Sequence, residues 1–207
     1  MSDLQRIKKL TLSETEAYLF RSAELLPLKH RICRKMEGWL ELVGEAIAED
    51  LKENPKGLPP EWVDSSPRLS RGENYHEQAY RVLDYPRFFA KADMLTARVV
   101  VLWGHATGFH LMAAGKYREQ YLEAWVPEIN RLPAGFQLSA QQNPWIWENT
   151  NTELLPVDSL DEATVRSTLE SRSFIKLSYF LPLEKSLDLL PTALGVWHTW
   201  RRLLTLG

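Results

Sequence analysis

Ala97-Arg98-Val99-Val100-Val101-Leu102-Trp103 is apolar on nearly both of its faces, and few folds offer such a strand a place. A half-buried strand alternates apolar with polar; one that is apolar on both faces belongs in the middle of a sheet, under helix. Phe109-His110-Leu111-Met112-Ala113-Ala114 follows across Gly104-His105-Ala106-Thr107-Gly108, a hairpin-length connection. The pair reads as the centre of a sheet, and the rest of the chain must supply its cover.

The long cover is N-terminal. Leu28, Ile32, Met36, Trp39, Leu40, Val43, Ile47 and Leu51 recur at helical spacing and form one apolar stripe. Glu37, Glu41, Glu45 and Glu49 make a second stripe at i,i+4 spacing, which reads as a solvated face; the other reading is a basic partner docked on it. Upstream, Ser13-Glu14-Thr15-Glu16 has the pattern of a capping box. Pro27 either separates two helices or sits in the first turn of the second.

Asn54-Pro55-Lys56-Gly57-Leu58-Pro59-Pro60 ends the helix and opens an irregular crossing to about Ser70. Strands are expected at 79–84, 136–141, 145–147 and 173–180, and a short helix over 116–124 stopped near Pro127. Ser159-Leu160-Asp161-Glu162 repeats the capping-box pattern and predicts a helix to about Ser171. Pro191, Leu194, Trp197 and Leu204 close the chain with an amphipathic helix. The expectation is a single α+β domain over 1–207, a mainly antiparallel sheet packed under a long N-terminal helix and a C-terminal helix. Its parts are 13–53 (helical), 70–181 (the sheet, with a helix near 160–171) and 183–204 (helix).

With 207 residues, 44% of them hydrophobic and a net charge of −2, the chain suits a folded domain and gives no electrostatic ground for nucleic acid or an anionic membrane as partner. Cys33 is the one cysteine, so no intramolecular disulfide forms, and no zinc-ligand spacing is present. Met1–Arg6 lacks the apolar core of a signal peptide, and no uncharged run approaches the roughly 20 residues of a membrane span. A soluble cytoplasmic protein without cofactor or metal is expected. Eight tryptophans serve either the core and a homodimer contact or a ligand pocket.

Polar chemistry is densest in Arg71-Gly72-Glu73-Asn74-Tyr75 and in Leu83-Asp84-Tyr85-Pro86-Arg87-Phe88-Phe89. Together with Lys29-His30-Arg31-Ile32, the hairpin around Trp103-Gly104, and Phe174-Ile175-Lys176-Leu177, these stretches resemble an uncharacterised bacterial family of about 200 residues. That family carries Gly-Glu-Asn-Tyr followed by Leu-Asp-Tyr-Pro-Arg. The resemblance spans nearly the whole chain and implies no activity, substrate or cofactor. After Tyr75 this chain has His76-Glu77-Gln78-Ala79-Tyr80, where the family pattern is more apolar.

The candidate binding residues are Glu73, Asn74, Tyr75, Asp84, Tyr85, Arg87, Trp103 and His110. One reading joins them in a polar pocket where a 72–75 loop meets an 83–87 turn, with Arg87 gripping an anion and tyrosines as walls. The other is turn chemistry: Asp84 bonding backbone amides or Arg87, Asn74 in a turn of positive φ, and His110 a hydrogen-bonded sheet residue. No nucleophile elbow or phosphate loop is present, and Cys33 lies mid-helix. Three functions follow: a non-enzymatic small-ligand or protein-binding module, a small-molecule enzyme with a carboxylate base and Arg clamp, or a structural homodimer.

Overall fold

A computed structural model of the chain describes residue 7 and residues 10–149 and 152–206. The Met1–Arg6 segment considered above lies outside them. Two compact units divide the chain, Met1–Met36 and Glu37–Gly207.

In the first unit, helix α1 (Glu14–Arg21) starts on Ser13. Ser13 Oγ accepts the Glu16 N–H at 3.3 Å, and the Glu16 carboxylate accepts the Ser13 N–H at 2.7 Å. Two donors that a helix start would leave unpaired are thereby satisfied. Helix α2 (Leu25–Glu53) opens in this unit and continues into the second. Pro27 sits in its first turn, where a missing N–H costs no helical bond.

The second unit is α+β. Its strands are β1 (Arg68–Tyr75), β2 (Gln78–Phe89), β3 (Met94–Leu102), β4 (Ala106–Ala114), β5 (Phe136–Ser139), β6 (Leu154–Pro156) and β7 (Phe174–Pro182). They form one sheet in the order β1-β2-β3-β4-β7-β5-β6, and every neighbouring pair is antiparallel. β3 is buried along its whole length and lies between β2 and β4, as its two-sided apolar sequence requires.

One face of the sheet carries Leu83, Val99, Phe109 and Leu177, all buried. Over it lie the 37–53 stretch of α2, the single turn α3 (Pro60–Val63), α4 (Lys116–Ile129) and α6 (Leu189–Leu204), with α5 (Glu162–Glu170) packed on α4. Three indoles of this layer find an acceptor for their N–H. Trp62 donates to the Leu95 carbonyl at 2.8 Å, Trp125 to that of Leu203 at 2.9 Å, and Trp197 to Asp50 Oδ2 at 2.7 Å. Burying one indole removes apolar surface worth at most roughly 4–6 kcal/mol, so these three anchor the helix layer.

Local structure departs from the sequence reading in instructive places. Residues 72–75 are strand, not loop, because the turn falls one step later: His76 and Glu77 take φ of 50° and 64°, a two-residue hairpin connection. β2 runs on through Asp84 to Phe89, absorbing a cis Tyr85–Pro86 peptide where the register shifts between Asp84 and Arg87. Asp84 therefore stands inside a strand rather than in a turn, and Phe88 and Phe89 continue that strand. α4 runs on through Pro127 to Ile129, giving up the one helical bond that a proline nitrogen cannot make. The 160s helix is capped by Asp161, which accepts from Thr164 N at 2.7 Å, while Ser159 closes a preceding 3-10 turn. Residues 145–147 form no strand. Among the described residues no helix is long and apolar enough to cross a membrane.

Candidate functional site

The sheet face opposite the helices is crossed by a row of polar side chains. Asp84 pairs in register with Arg98, Arg98 with His110, His110 with Ser178, and Ser178 with Gln137. Five adjacent strands each contribute one residue. Strand pleating puts all five on one face, and Lys176 and Ser139, each two positions from a row member, join them there. Exposure is 4% for Asp84, 8% for Arg98, 0% for His110 and 1% for Lys176. Charge at such depth is tolerated only with partners.

Arg98 and Asp84 satisfy one another. Arg98 Nε donates to Asp84 Oδ1 at 2.6 Å and Nη2 to Oδ2 at 2.9 Å. Trp145 covers the guanidinium, 4.6 Å from its ring centre, with Trp147 at 5.7 Å. Both oxygens of Asp84 are thus committed to Arg98 rather than to Arg87 or to a turn.

Lys176 is served differently. Its Nζ donates to Gln141 Oε1 at 3.2 Å and to the Ile146 carbonyl, both neutral oxygens. Burial, reinforced by the Arg98 charge and opposed by the Glu148 carboxylate, pushes the amine down to about 7. His110 is held well below its ordinary value, by burial first and then by Lys176 and Arg98. Its Nδ1 lies 2.9 Å from Ser178 Oγ, while Nε2 has no partner. Gln137 Oε1, Gln141 Nε2 and Trp147 Nε1 are likewise buried and unpartnered. Native interiors leave few such atoms, and four in one layer need an explanation.

The roof is a strap, residues 141–148, without regular secondary structure. Its backbone groups are taken by side chains, which is why 145–147 form no strand: the Ile146 carbonyl accepts from Lys176 and the Trp147 N–H donates to Tyr75 Oη at 2.9 Å. Tyr75 in turn donates to Glu148 Oε2 at 2.6 Å, and its ring stacks on Trp147 at 4.5 Å. Burial and the neighbouring Glu148 carboxylate raise the Tyr75 hydroxyl above its ordinary value. Burial pushes Glu148 up, yet the hydrogen bond from Tyr75 and the nearby His76 leave its carboxyl below the usual range. Beneath the stack lies a small apolar floor of Val82, Val100 and Leu102, edged by Tyr80.

Of the sequence candidates, Tyr75, Asp84 and His110 belong to this layer. The others lie elsewhere. Tyr85 is buried seven positions along β2 from Gln78, the partner of Tyr75; at about 3.3 Å per residue that is over 20 Å, so the 72–75 and 83–87 stretches do not share a rim. Arg87 binds the 65–66 segment, Nε donating to the Ser66 carbonyl at 3.2 Å. Glu73 meets Arg81 at 3.1 Å on the helix side of the sheet. Asn74 is exposed near the hairpin tip, and Trp103, half-buried, donates its backbone N–H to Ala79 at 2.9 Å. Arg98, Lys176, Gln141, Trp145 and Trp147 went unread as site residues. The available signal was charge in the wrong place: Arg98 alone breaks an apolar strand, and Lys176 interrupts Phe-Ile-Lys-Leu.

Among the described residues no group of three His, Cys, Asp or Glu side chains is placed to hold a metal ion. No family model, no curated protein and no solved structure matches the chain.

Proposed function

We propose that this protein binds a small, acceptor-rich organic anion, held against the Arg98–His110–Ser178 row beneath the 141–148 strap. One observation carries the reading: Lys176 is buried and, among the described residues, its hydrogen-bond acceptors are neutral oxygens. A carboxylate or phosphate group would supply a hydrogen-bonded counter-charge, which Glu148 gives only from a distance. It would also meet unused N–H groups of Gln141 and Trp147, while Gln137 Oε1 suits a ligand hydroxyl. Admission of the ligand requires the strap to lift; Tyr75, Lys176 and the His76–Glu148 contact at 3.1 Å hold it, with no strand pairing along its length.

An anion beside Lys176 raises its pKa, so binding above pH 7 takes up a proton. Calorimetry at pH 8.5 with a panel of mono- and dicarboxylates and inorganic phosphate, in two buffers of different ionisation enthalpy, measures that uptake. A bound panel member raises Tm and carries close to one proton with it. Lys176→Met abolishes both effects while the folded circular-dichroism spectrum persists. No Tm shift with any anion would sink the reading.

The same amine supports a second reading, an enzyme. At neutral pH a substantial fraction of Lys176 is the free base, able to condense with an aldehyde or ketone to an imine, releasing water. Borohydride in the presence of a small keto acid would then fix the adduct as added mass on Lys176. A carboxylate base is not available from Asp84, whose oxygens both hold Arg98.

A further inference from the structure

The two edges of the sheet are built on opposite plans. β6, at one edge, has three residues and ends in Pro156, a short strand that offers little to pair with. β1, at the other, has eight residues, nearly all exposed, and no proline. Folds usually shorten or block such an edge because its free N–H and C=O groups recruit other strands. Among the described residues no strand pairs with its outer side; Arg68, Arg71 and Glu73 and a register shift after Gly72 mark it, yet the 68–71 stretch stays regular, and a groove runs along it.

That groove lies between β1 and the 37–53 stretch of α2. Arg71 Nη1 is 3.7 Å from Glu37 Oε1, and a Cβ on Gly44 would stand 3.7 Å from the Pro67 side chain. Seven helical residues rise about 10.5 Å and four extended residues about 13 Å, so helix and strand run side by side in opposite directions. Two linked cavities of about 220 and 230 Å³ share Glu41 and Leu69 as walls, over a floor that includes Leu40, Gly44 and Leu83. Gly44 has no side chain to fill the space. Along the groove stand Glu41 and Glu45, exposed and without an ion-pair partner among the described residues, whereas Glu37 is engaged by Arg71 and Arg81 at the far end.

The geometry points to β1 as a docking edge for an extended, lysine- or arginine-bearing segment of another polypeptide, which adds to the sheet as an extra strand. Hydrogen bonds to the β1 backbone give such a segment its affinity, and its alternate side chains face α2. Those alternate positions recur about every 6.8 Å, close to the roughly 6 Å rise from Glu41 to Glu45, so two basic residues at alternate positions meet these two carboxylates. A second copy of this chain fits less well. Isologous β1 pairing would bring the two glutamate stripes against each other across the dyad.

An eight-residue peptide alternating lysine with valine, fluorescently labelled, tests the assignment against the full chain by anisotropy. Binding should weaken at least tenfold in E41K/E45K, fall with added salt, and vanish when alternate peptide nitrogens are methylated, which keeps the charge but removes strand pairing. Hydrogen exchange should show new protection at residues 68–73. Equal binding of the methylated peptide, or of one carrying glutamate for lysine, overturns the proposal. So does sedimentation showing that β1 is occupied by a second copy. The peptide variants leave the protein untouched, so their outcome does not depend on how E41K/E45K folds.

Discussion

Asp84 and Arg98 face each other directly across β2 and β3, joined at two points, 2.6 and 2.9 Å. Placed there, the pair acts on strand register as well as on charge. A slip of one residue would turn Arg98 toward the helices and strand both charges in apolar surroundings. The same two residues anchor the polar row from which the binding site is built.

Removing one member exposes that dependence. Arg98→Met should lose about 3–5 kcal/mol in urea unfolding, because Asp84 is left buried and unpaired. The double variant Asp84→Leu with Arg98→Met should recover most of the loss. A single variant as stable as the parent would mean the pair contributes nothing at this depth.

Tyr75 ties the first hairpin to the strap through two hydrogen bonds on one oxygen. Tyr75→Phe leaves the Trp147 N–H without its acceptor, at about 1–3 kcal/mol. The effect should be local: faster hydrogen exchange at the Trp147 amide and red-shifted tryptophan emission, with the β3 and β4 amides unchanged. Unaltered exchange at Trp147 would show that stacking alone holds the strap.

Lys176 sets a pH dependence whose sign is fixed. Its folded pKa, about 7, lies below the ordinary lysine value of 10.5, so between those values the unfolded chain holds a proton that the folded chain does not. Stability relative to Lys176→Met therefore rises with pH across that window, by at most about 1.4 kcal/mol per unit, and is flat below it. His110 is neutral in both states through most of the window and does not mask the slope. Urea midpoints of both proteins at pH 7, 8, 9 and 10 measure it; parallel curves would contradict the burial of an unpaired amine.

Gly108 makes room for His110. A Cβ there would stand 2.6 Å from His110 Nε2 and 3.2 Å from the Phe180 ring. Gly108→Ala should cost about 1–3 kcal/mol through overpacking, shift the His110 ring resonances, and weaken anion binding. Unmoved His110 resonances would place the strain elsewhere.

What could be read along the chain was whatever neighbours in sequence settle between themselves. The Ser13 cap depends on residues three apart, the α2 stripe on helical periodicity, and the central place of β3 on its own apolar run; each stands in the structure as its residues require. Tertiary contacts decided the rest. Asp84 before Tyr85-Pro86 has the chemistry of a turn residue, but an arginine fourteen positions away holds it in a strand. Tyr75 acquired its role from Trp147 and Glu148, more than seventy residues on, and Lys176 became buried only because a strap with no periodicity of its own folds over it. Local propensity amounts to tenths of a kcal/mol per residue, whereas an unpaired buried charge costs several, so wherever the two compete the distant partner prevails.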